Sequence, residues 1–113
     1  MKKYKISDNE RDIICKFQKL CIPEIFKDSD EYMNYFLFIE EVDFTVCNLL
    51  LRGKTIDQQV YDNILYGEKY YHCGFEHFIE TINPSKLDFD SRSYYNMIVK
   101  IISIFKKYKS DAN

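Results

Sequence analysis

Two side chains near residue 75 have the types and the spacing that a chemical site requires. Cys73 and His77 are four residues apart, so a helix would place thiol and imidazole on one face. Glu76 and Glu80 would lie beside them, which makes half of a metal site or a thiol–histidine pair. A structural zinc ion needs four ligands, and the remaining cysteines follow no metal-binding motif: Cys15, Cys21 and Cys47. We therefore expect no metal and no cofactor, with His77 as a partly exposed polar residue and Cys73 as apolar filler.

Asp43 is the second residue of chemical interest. Helical periodicity places it near Tyr32, Phe36 and Leu50, on a face that should point inward. An unpaired carboxylate is costly to bury. We therefore predict a structural partner for Asp43, either a tyrosine hydroxyl, a basic side chain or a helix N-terminus, in preference to a role as a functional acid.

Catalytic and nucleotide-binding motifs are missing from the sequence. Three scattered glycines cannot form a glycine-rich phosphate-binding turn. No GxSxG segment occurs, and only His72 and His77 are available as imidazole bases. The sequence therefore predicts a protein that is not an enzyme and has no catalytic residues.

Charge is distributed unevenly along the chain. The net charge is −2, but residues 6 to 99 carry nine basic and 17 acidic side chains, a net charge of −8, while lysines concentrate at both ends. An acidic body repels nucleic-acid phosphates and attracts a basic protein partner. If the two ends meet, their lysines would form a basic patch that binds phosphate weakly. We expect a basic protein partner and no nucleic acid; the alternative is that the acidic balance serves solubility alone.

Length and composition predict a single domain spanning residues 1 to 113. Ten tyrosines and nine phenylalanines are enough to fill a core without metal or disulfide. No apolar run reaches the roughly 18 residues of a membrane span, and the N-terminus is polar where a signal peptide is apolar. We expect a cytoplasmic protein that does not enter membranes and whose four cysteines remain thiols.

Hydrophobic periodicity predicts an all-α fold, a compact bundle of five helices. Capping and stop signals delimit them. The five helices run from the Ser7 capping box to Pro23, from Asp28 or Ser29 to about Arg52, from a capping box at Thr55 to Gly67, from about Glu68 to Ile82, and from Asp90 or Ser91 into the C-terminal lysines. Gly74 lies inside the fourth helix and alternatively marks the break between a longer third helix and a shorter fourth one.

The apolar positions of these helices define a predicted core. The second helix has only a narrow polar strip, so we expect it at the centre of the bundle, with Phe36 buried there. The other inward positions are Ile13, Ile14, Phe17, Leu20 and Cys21 in the first helix, Ile56, Val60 and Ile64 in the third, Tyr71, Phe75, Phe78, Ile79 and Ile82 in the fourth, and Tyr94, Met97, Ile98, Ile101, Ile102 and Phe105 in the fifth.

A candidate partner-binding surface lies on the third and fourth helices. Tyr70 is expected to keep its hydroxyl in water and its ring half covered, as interface anchors often do. Acidic side chains surround it, so one surface combines an aromatic anchor with charge. The candidate residues are Asp57, Asp62, Glu68, Tyr70, Tyr71, Glu76 and Glu80. Ordinary helix packing is the alternative role for the tyrosines.

Two short segments resemble the small bacterial immunity proteins of the colicin and contact-dependent inhibition systems. Ile6-Ser7-Asp8 precedes the first helix as in those proteins, and Tyr70-Tyr71 is similar to the tyrosine pair that nuclease-colicin immunity proteins use, with neighbouring carboxylates, to contact a basic toxin. The chain departs from that family in being longer, in lacking prolines beside the tyrosine pair and in having an extra helical segment. The resemblance implies a toxin-neutralising protein that binds a basic toxin domain, with a nuclease as the expected kind.

Two other functions remain open at this stage. A phage or mobile-element inhibitor of a host nuclease would share the acidic surface and differ in its target. A self-associating helical regulatory module would pack its Tyr and Phe stripes against a second copy as a homodimer. A neighbouring toxin gene favours the first function, an early phage operon the second, and a solution mass of twice the monomer the third.

Overall fold

Helices dominate the part of the chain that the computed structural model describes, residues 4–28, 35–67 and 73–109. The prediction of a compact all-α fold is confirmed, and the five longer helices correspond to the five predicted. Within the described ranges the helices are α1 (Asp8–Gln18), α2 (Glu24–Asp28), α3 (α-helical at Phe36–Glu41, π-helical at Val42–Val46 and α-helical at Cys47–Arg52), α4 (Gln58–Tyr66), α5 (Gly74–Thr81) and α6 (Phe89–Lys107), with a 3₁₀ turn at Pro84–Lys86. The short α2 is an addition to the predicted set.

Helix ends follow the local signals in some places and depart from them in others. The Ser7 hydroxyl accepts from the Glu10 N–H at 3.1 Å and the Glu10 carboxylate accepts from the Ser7 N–H at 2.8 Å, so the predicted capping box is present. Gly53 ends α3 and Gly67 ends α4, both with positive φ, as expected of C-terminal glycines. Ser29 lies outside the described residues, and Asp28 is the last residue of α2.

Two predicted N-caps are wrong by a few residues. Asp57, not Thr55, caps α4, because its carboxylate accepts from the Val60 N–H at 2.9 Å. The chain before Asp57 is held extended, since Ile56 forms a parallel β-bridge with Lys109. In α6 the cap is Asp88, upstream of the predicted Asp90 or Ser91, and its carboxylate accepts from the Ser91 N–H.

Gly74 is where α5 begins, as in the alternative that places a break at this glycine, but α4 ends at Tyr66 and is not the longer helix of that alternative. The predicted start at Glu68 lies outside the described residues. Gly74 has a φ of +79°, and a Cβ at this position would lie 2.3 Å from the backbone nitrogen of Gly67. The end of α4 therefore packs directly on the first turn of α5, and only glycine permits this approach.

A Gly74→Ala substitution is expected to destabilise the fold by about 2 kcal/mol, because the left-handed backbone and the clash with backbone atoms act together. Urea denaturation would measure the loss. Gly67→Ala is the internal comparison for the backbone angle, since its φ of +82° is similar. Equal losses in the two variants would mean that the backbone angle alone accounts for the effect.

The buried side chains form one continuous core to which all six helices contribute. Its aromatic centre is Phe78, whose ring lies 5.2 Å from that of Phe38, 5.4 Å from Tyr95 and 6.4 Å from Phe26. The last helix contributes the inward residues that its periodicity predicts, with Met97 only partly buried.

Four predicted core residues lie elsewhere. Phe36 is half-buried, and Phe38 is fully buried in its place, because α3 turns Phe38, Ile39, Val42 and Val46 inward. Leu20 and Cys21 follow the end of α1 and are exposed. Ile79 is also exposed, since Phe75, Phe78 and Ile82 form the inward face of α5. Tyr71, another predicted core residue, lies outside the described residues.

The two ends of the described chain meet. The ring of Tyr4 stacks on that of Tyr108 with centroids 4.2 Å apart, and the Tyr4 N–H donates to the carbonyl of Gly53 at 3.0 Å. Glu10, which is buried, accepts from the Lys107 ammonium at 3.1 Å and from the Tyr108 hydroxyl at 2.7 Å. The sequence predicts a basic patch if the two chain ends meet. The described ends do meet, so this condition is satisfied for the described lysines near the C-terminus.

Candidate partner-binding surface

Four of the seven predicted contact residues lie within the described chain, all on α4 and α5. Asp57 is exposed at the start of α4 and Asp62 is half-buried one turn later; Glu76 and Glu80 are exposed on one face of α5. The other three, Glu68, Tyr70 and Tyr71, lie outside the described residues.

Two of these acids also have structural roles. Asp57 is the N-cap of α4, and the carboxylate of Asp62 accepts from the Gln58 side-chain amide at 2.8 Å. Substitution of Asp57 would remove a cap and lower helix stability by about 1 kcal/mol. Glu76 and Glu80 have no hydrogen bond or ion pair within the described chain, so they are the cleaner probes of a binding role.

Sequence reasoning missed two exposed apolar residues on these helices. Tyr66 is 61% exposed and lies four residues after Asp62, hence on the same face of α4. Ile79, which was expected to point inward, lies between Glu76 and Glu80 on the outer face of α5. The position of Tyr66 was readable from sequence, because it is two residues beyond the inward Ile64 and so on nearly the opposite side of the helix.

The outward residues of α4 and α5 belong to two helices that pack against each other. A Cβ on Gly74 would lie 2.4 Å from the carbonyl carbon of Tyr66, so Tyr66 stands at the first turn of α5. We call Asp62, Tyr66, Glu76, Ile79 and Glu80 the α4–α5 surface. It combines three carboxylates with one aromatic and one aliphatic side chain that the fold leaves uncovered.

The carboxylates of the α4–α5 surface are not neutralised by the described part of the chain. The ion pairs found there join Lys16 to Asp12, Lys27 to Glu24 and Lys107 to Glu10. Two lysines of the C-terminal segment contact aromatic rings of α4 and α5: Lys109 lies over the ring of Tyr61 at 4.9 Å and Lys106 over that of Phe75 at 5.5 Å. The acids of the α4–α5 surface therefore remain available to a basic partner.

Within the described chain the Cys73 thiol donates to the carbonyl of Gly74 at 3.5 Å and makes no hydrogen bond to His77. Burial raises the pKa of the Cys73 thiol to about 11, which keeps it protonated and weakly nucleophilic. His77 is exposed, and its ring faces that of Tyr35 at 5.9 Å. Across residues 4–28, 35–67 and 73–109, no group of three or more metal-ligating side chains lies together.

Asp43 is only half-buried, so the predicted buried and partnered carboxylate is wrong. It lies in the π-helical turn of α3, and no hydrogen bond or ion pair to its carboxylate is found among the described residues. Burial raises its pKa. The carboxylate retains access to water, because no unpartnered polar side-chain atom is fully buried in the described chain.

Known proteins do not supply a family for this chain. Comparisons with protein-family models, with curated proteins and with solved structures gave no match. Among the described helices, none is both long and apolar enough to cross a membrane. Function is therefore assigned from the charge and the geometry of the residues themselves.

Proposed function

We propose that this protein is an immunity protein that binds and inhibits a basic toxin domain, with a nuclease as the expected class. The observation that carries the proposal is that the packed helices α4 and α5 together carry the exposed Tyr66 and three carboxylates without basic partners in the described chain. A nuclease must attract phosphate, so its active site is basic and complementary to such a surface. The free cysteines of the described chain, one of them exposed, fit a reducing cytoplasm.

Tyr66 and the carboxylates would have different tasks in this complex. A tyrosine offers a large ring at low cost in conformational entropy, and buried aromatic anchors carry much of the affinity of protein interfaces. Surface carboxylates contribute mainly to the rate of encounter, because their field steers a basic partner. The two contributions are separable, since dissociation reports the anchor and association reports the charge.

Co-purification with the product of the neighbouring upstream gene tests the proposal and supplies the partner. Association should be fast at low salt and slow markedly as ionic strength rises, because exposed charges are screened beyond about 8 Å at physiological salt. Stopped-flow mixing over a salt series measures this. Binding at a rate independent of salt would contradict electrostatic attraction between the two proteins.

Glu80→Lys is expected to lower the association rate constant severalfold while leaving dissociation nearly unchanged. Glu80 is exposed in the last turn of α5, where a lysine suits the helix dipole, so the fold should tolerate it. Asp12→Lys is the matched control, because it makes the same charge change at an exposed position of α1, away from α4 and α5. Glu10 cannot serve as a control, since it is buried and bonded. Equal effects of both variants would exclude the α4–α5 surface as the contact.

Tyr66→Ala is expected to act on dissociation, costing about 2 kcal/mol in binding if the ring is the anchor. Because the ring is largely exposed, thermal unfolding of the free protein should be unchanged. Normal binding by this variant, with binding lost on substitution of α3, would move the interface to α3.

Self-association is the second candidate function, and a separate observation favours it. Phe44 is 62% exposed on the outer face of α3, and Leu37 is exposed two turns away on the same face. Two apolar side chains in this arrangement resemble half of a helix–helix contact. Light scattering decides between the candidates: a dimer mass that reverts to monomer in Phe44→Asp would support the homodimer.

A further inference from the structure

A groove of about 590 Å³ opens where the loop after α1 and the helix α2 meet the start of α6. Its apolar lining includes Leu20, Phe89 and Tyr94, and none of its lining residues belongs to α4 or α5. Phe89 is 79% exposed at its rim, although an aromatic ring gains by being covered. Volumes of 300 to 1,000 Å³ are typical of sites for small molecules.

Tyr94 supplies a polar group to this groove. Its side chain is only 3% exposed, and its ring is fixed by those of Phe17 at 5.1 Å and Phe26 at 6.2 Å. Within the described chain the hydroxyl has no hydrogen-bond partner, and no unpartnered polar atom there is fully buried. The Tyr94 hydroxyl must therefore be open to solvent, and it reaches solvent through the groove that Tyr94 lines.

The hydroxyl of Tyr94 acts as a donor at neutral pH. Burial, and then the neighbouring Asp43, Cys47 and Cys21, raise its pKa well above the ordinary value of 10.0. A protonated phenol in an apolar lining can donate one hydrogen bond to an acceptor on a ligand. An acceptor on a bound ligand would take the place of the water that the solvent-open hydroxyl otherwise contacts.

Charge at the rim narrows the class of ligand. Lys27 is paired with Glu24 at 3.4 Å, so these two charges largely cancel. Asp90 also lines the groove, and it has no ion pair within the described chain. The excess charge is therefore negative, which disfavours anions and admits neutral or cationic molecules.

We propose that this groove binds a small aromatic molecule, neutral or cationic, that carries a hydrogen-bond acceptor for the Tyr94 hydroxyl. The ring of such a molecule would pack against Phe89 and Leu20, and its acceptor would face Tyr94. The site is independent of the α4–α5 surface, so binding there and inhibition of a partner can be tested separately.

Quinoline is the probe, because it is a neutral bicyclic aromatic with one ring nitrogen as acceptor. Titration of the isotope-labelled full chain, followed by amide NMR shifts, should give saturable changes around residues 20–27 and 89–94. Naphthalene-2-carboxylate, an anion of similar size, should bind at least about tenfold more weakly. Shifts that do not saturate, or that spread over other faces of the protein, would overturn the proposal.

Tyr94→Phe should weaken quinoline binding roughly threefold to tenfold, the range expected for one hydrogen bond. The ring contacts with Phe17 and Phe26 remain, so folding should persist. Tyr95→Phe is the matched control, because Tyr95 is also a buried tyrosine of α6 but does not line the groove. Equal affinity in both variants would exclude the donor role.

Asp90→Asn is a second variant that tests the proposal even if Tyr94→Phe unfolds. Asp90 is exposed, so its substitution should not disturb the fold. This variant should bind naphthalene-2-carboxylate severalfold better and quinoline about as well as the unchanged protein. No gain for the anion would contradict the assigned charge selectivity.

Discussion

Phe38→Ala is expected to lower the free energy of unfolding by about 3 to 5 kcal/mol, the range for removing a fully buried phenylalanine. The Phe38 side chain has 0% exposure, and its ring contacts those of Phe75 at 6.3 Å and Phe78 at 5.2 Å. The cavity would lie at the junction of α3 and α5, where neighbouring rings cannot collapse without leaving their own contacts. Thermal unfolding should show a fall in Tm of roughly 12 to 20 °C.

Phe36→Ala is the matched comparison. Both residues belong to α3, and the two variants remove the same atoms, but Phe36 is only half-buried. We expect a loss of about 1 to 2 kcal/mol, because less apolar surface returns to water. A larger loss for Phe36 than for Phe38 would show that the inward face of α3 is assigned wrongly.

Glu10→Gln is expected to cost about 2 to 3 kcal/mol at neutral pH, since hydrogen bonds to a charged group are each stronger than neutral ones. Gln keeps the size of the side chain but loses the charge that faces Lys107, and its amide can satisfy only part of the arrangement. Glu76→Gln is the control, because Glu76 is exposed and makes no such bonds in the described chain. Similar losses in both variants would mean that the Glu10 network does not stabilise the fold.

Glu10 also makes stability depend on pH. Burial alone would raise its pKa, but hydrogen bonds from Ser7, Tyr108 and Lys107 outweigh burial and lower the pKa from 4.5 to about 2. A lowered pKa gives stability that is fully present above about pH 4.5 and is lost as pH falls toward 2, with a full value of about 3 kcal/mol. Urea titrations between pH 7 and pH 2 measure this loss. Glu10→Gln should flatten the curve in that window, and an unchanged curve would contradict the assigned pKa.

Hydrophobic periodicity and the helix start and stop signals made much of the fold predictable from sequence. The capping box at Ser7, the glycines after α3 and α4 and the inward positions of α6 are local features, and each was readable from residues close in sequence. The rotation of α3 was not, because its apolar residues nearly surround the helix and its π turn shifts the inward positions after Val42. Contacts with the other helices determine that Phe38, and not Phe36, is fully buried.

The acidic residues of the candidate site were predictable from sequence, whereas its exposed apolar residues were less so. Acid positions follow directly from the sequence, so the acids of α4 and α5 were found. The exposed Ile79 was missed, because three nearby apolar residues already fill the inward face of α5, which periodicity alone does not reveal. The groove at Tyr94 joins residues about 70 positions apart, and no local pattern indicates such a contact.

The bonds between Glu10 and the end of α6 have a consequence for synthesis in the cell. Glu10 receives its partners from residues 97 and 98 positions later in the chain. On the ribosome, the first helix therefore emerges long before the groups that satisfy its buried carboxylate exist outside the exit tunnel. The bonds of Glu10 to α6 can therefore form only after Lys107 and Tyr108 have also left the tunnel, however early the first helix forms.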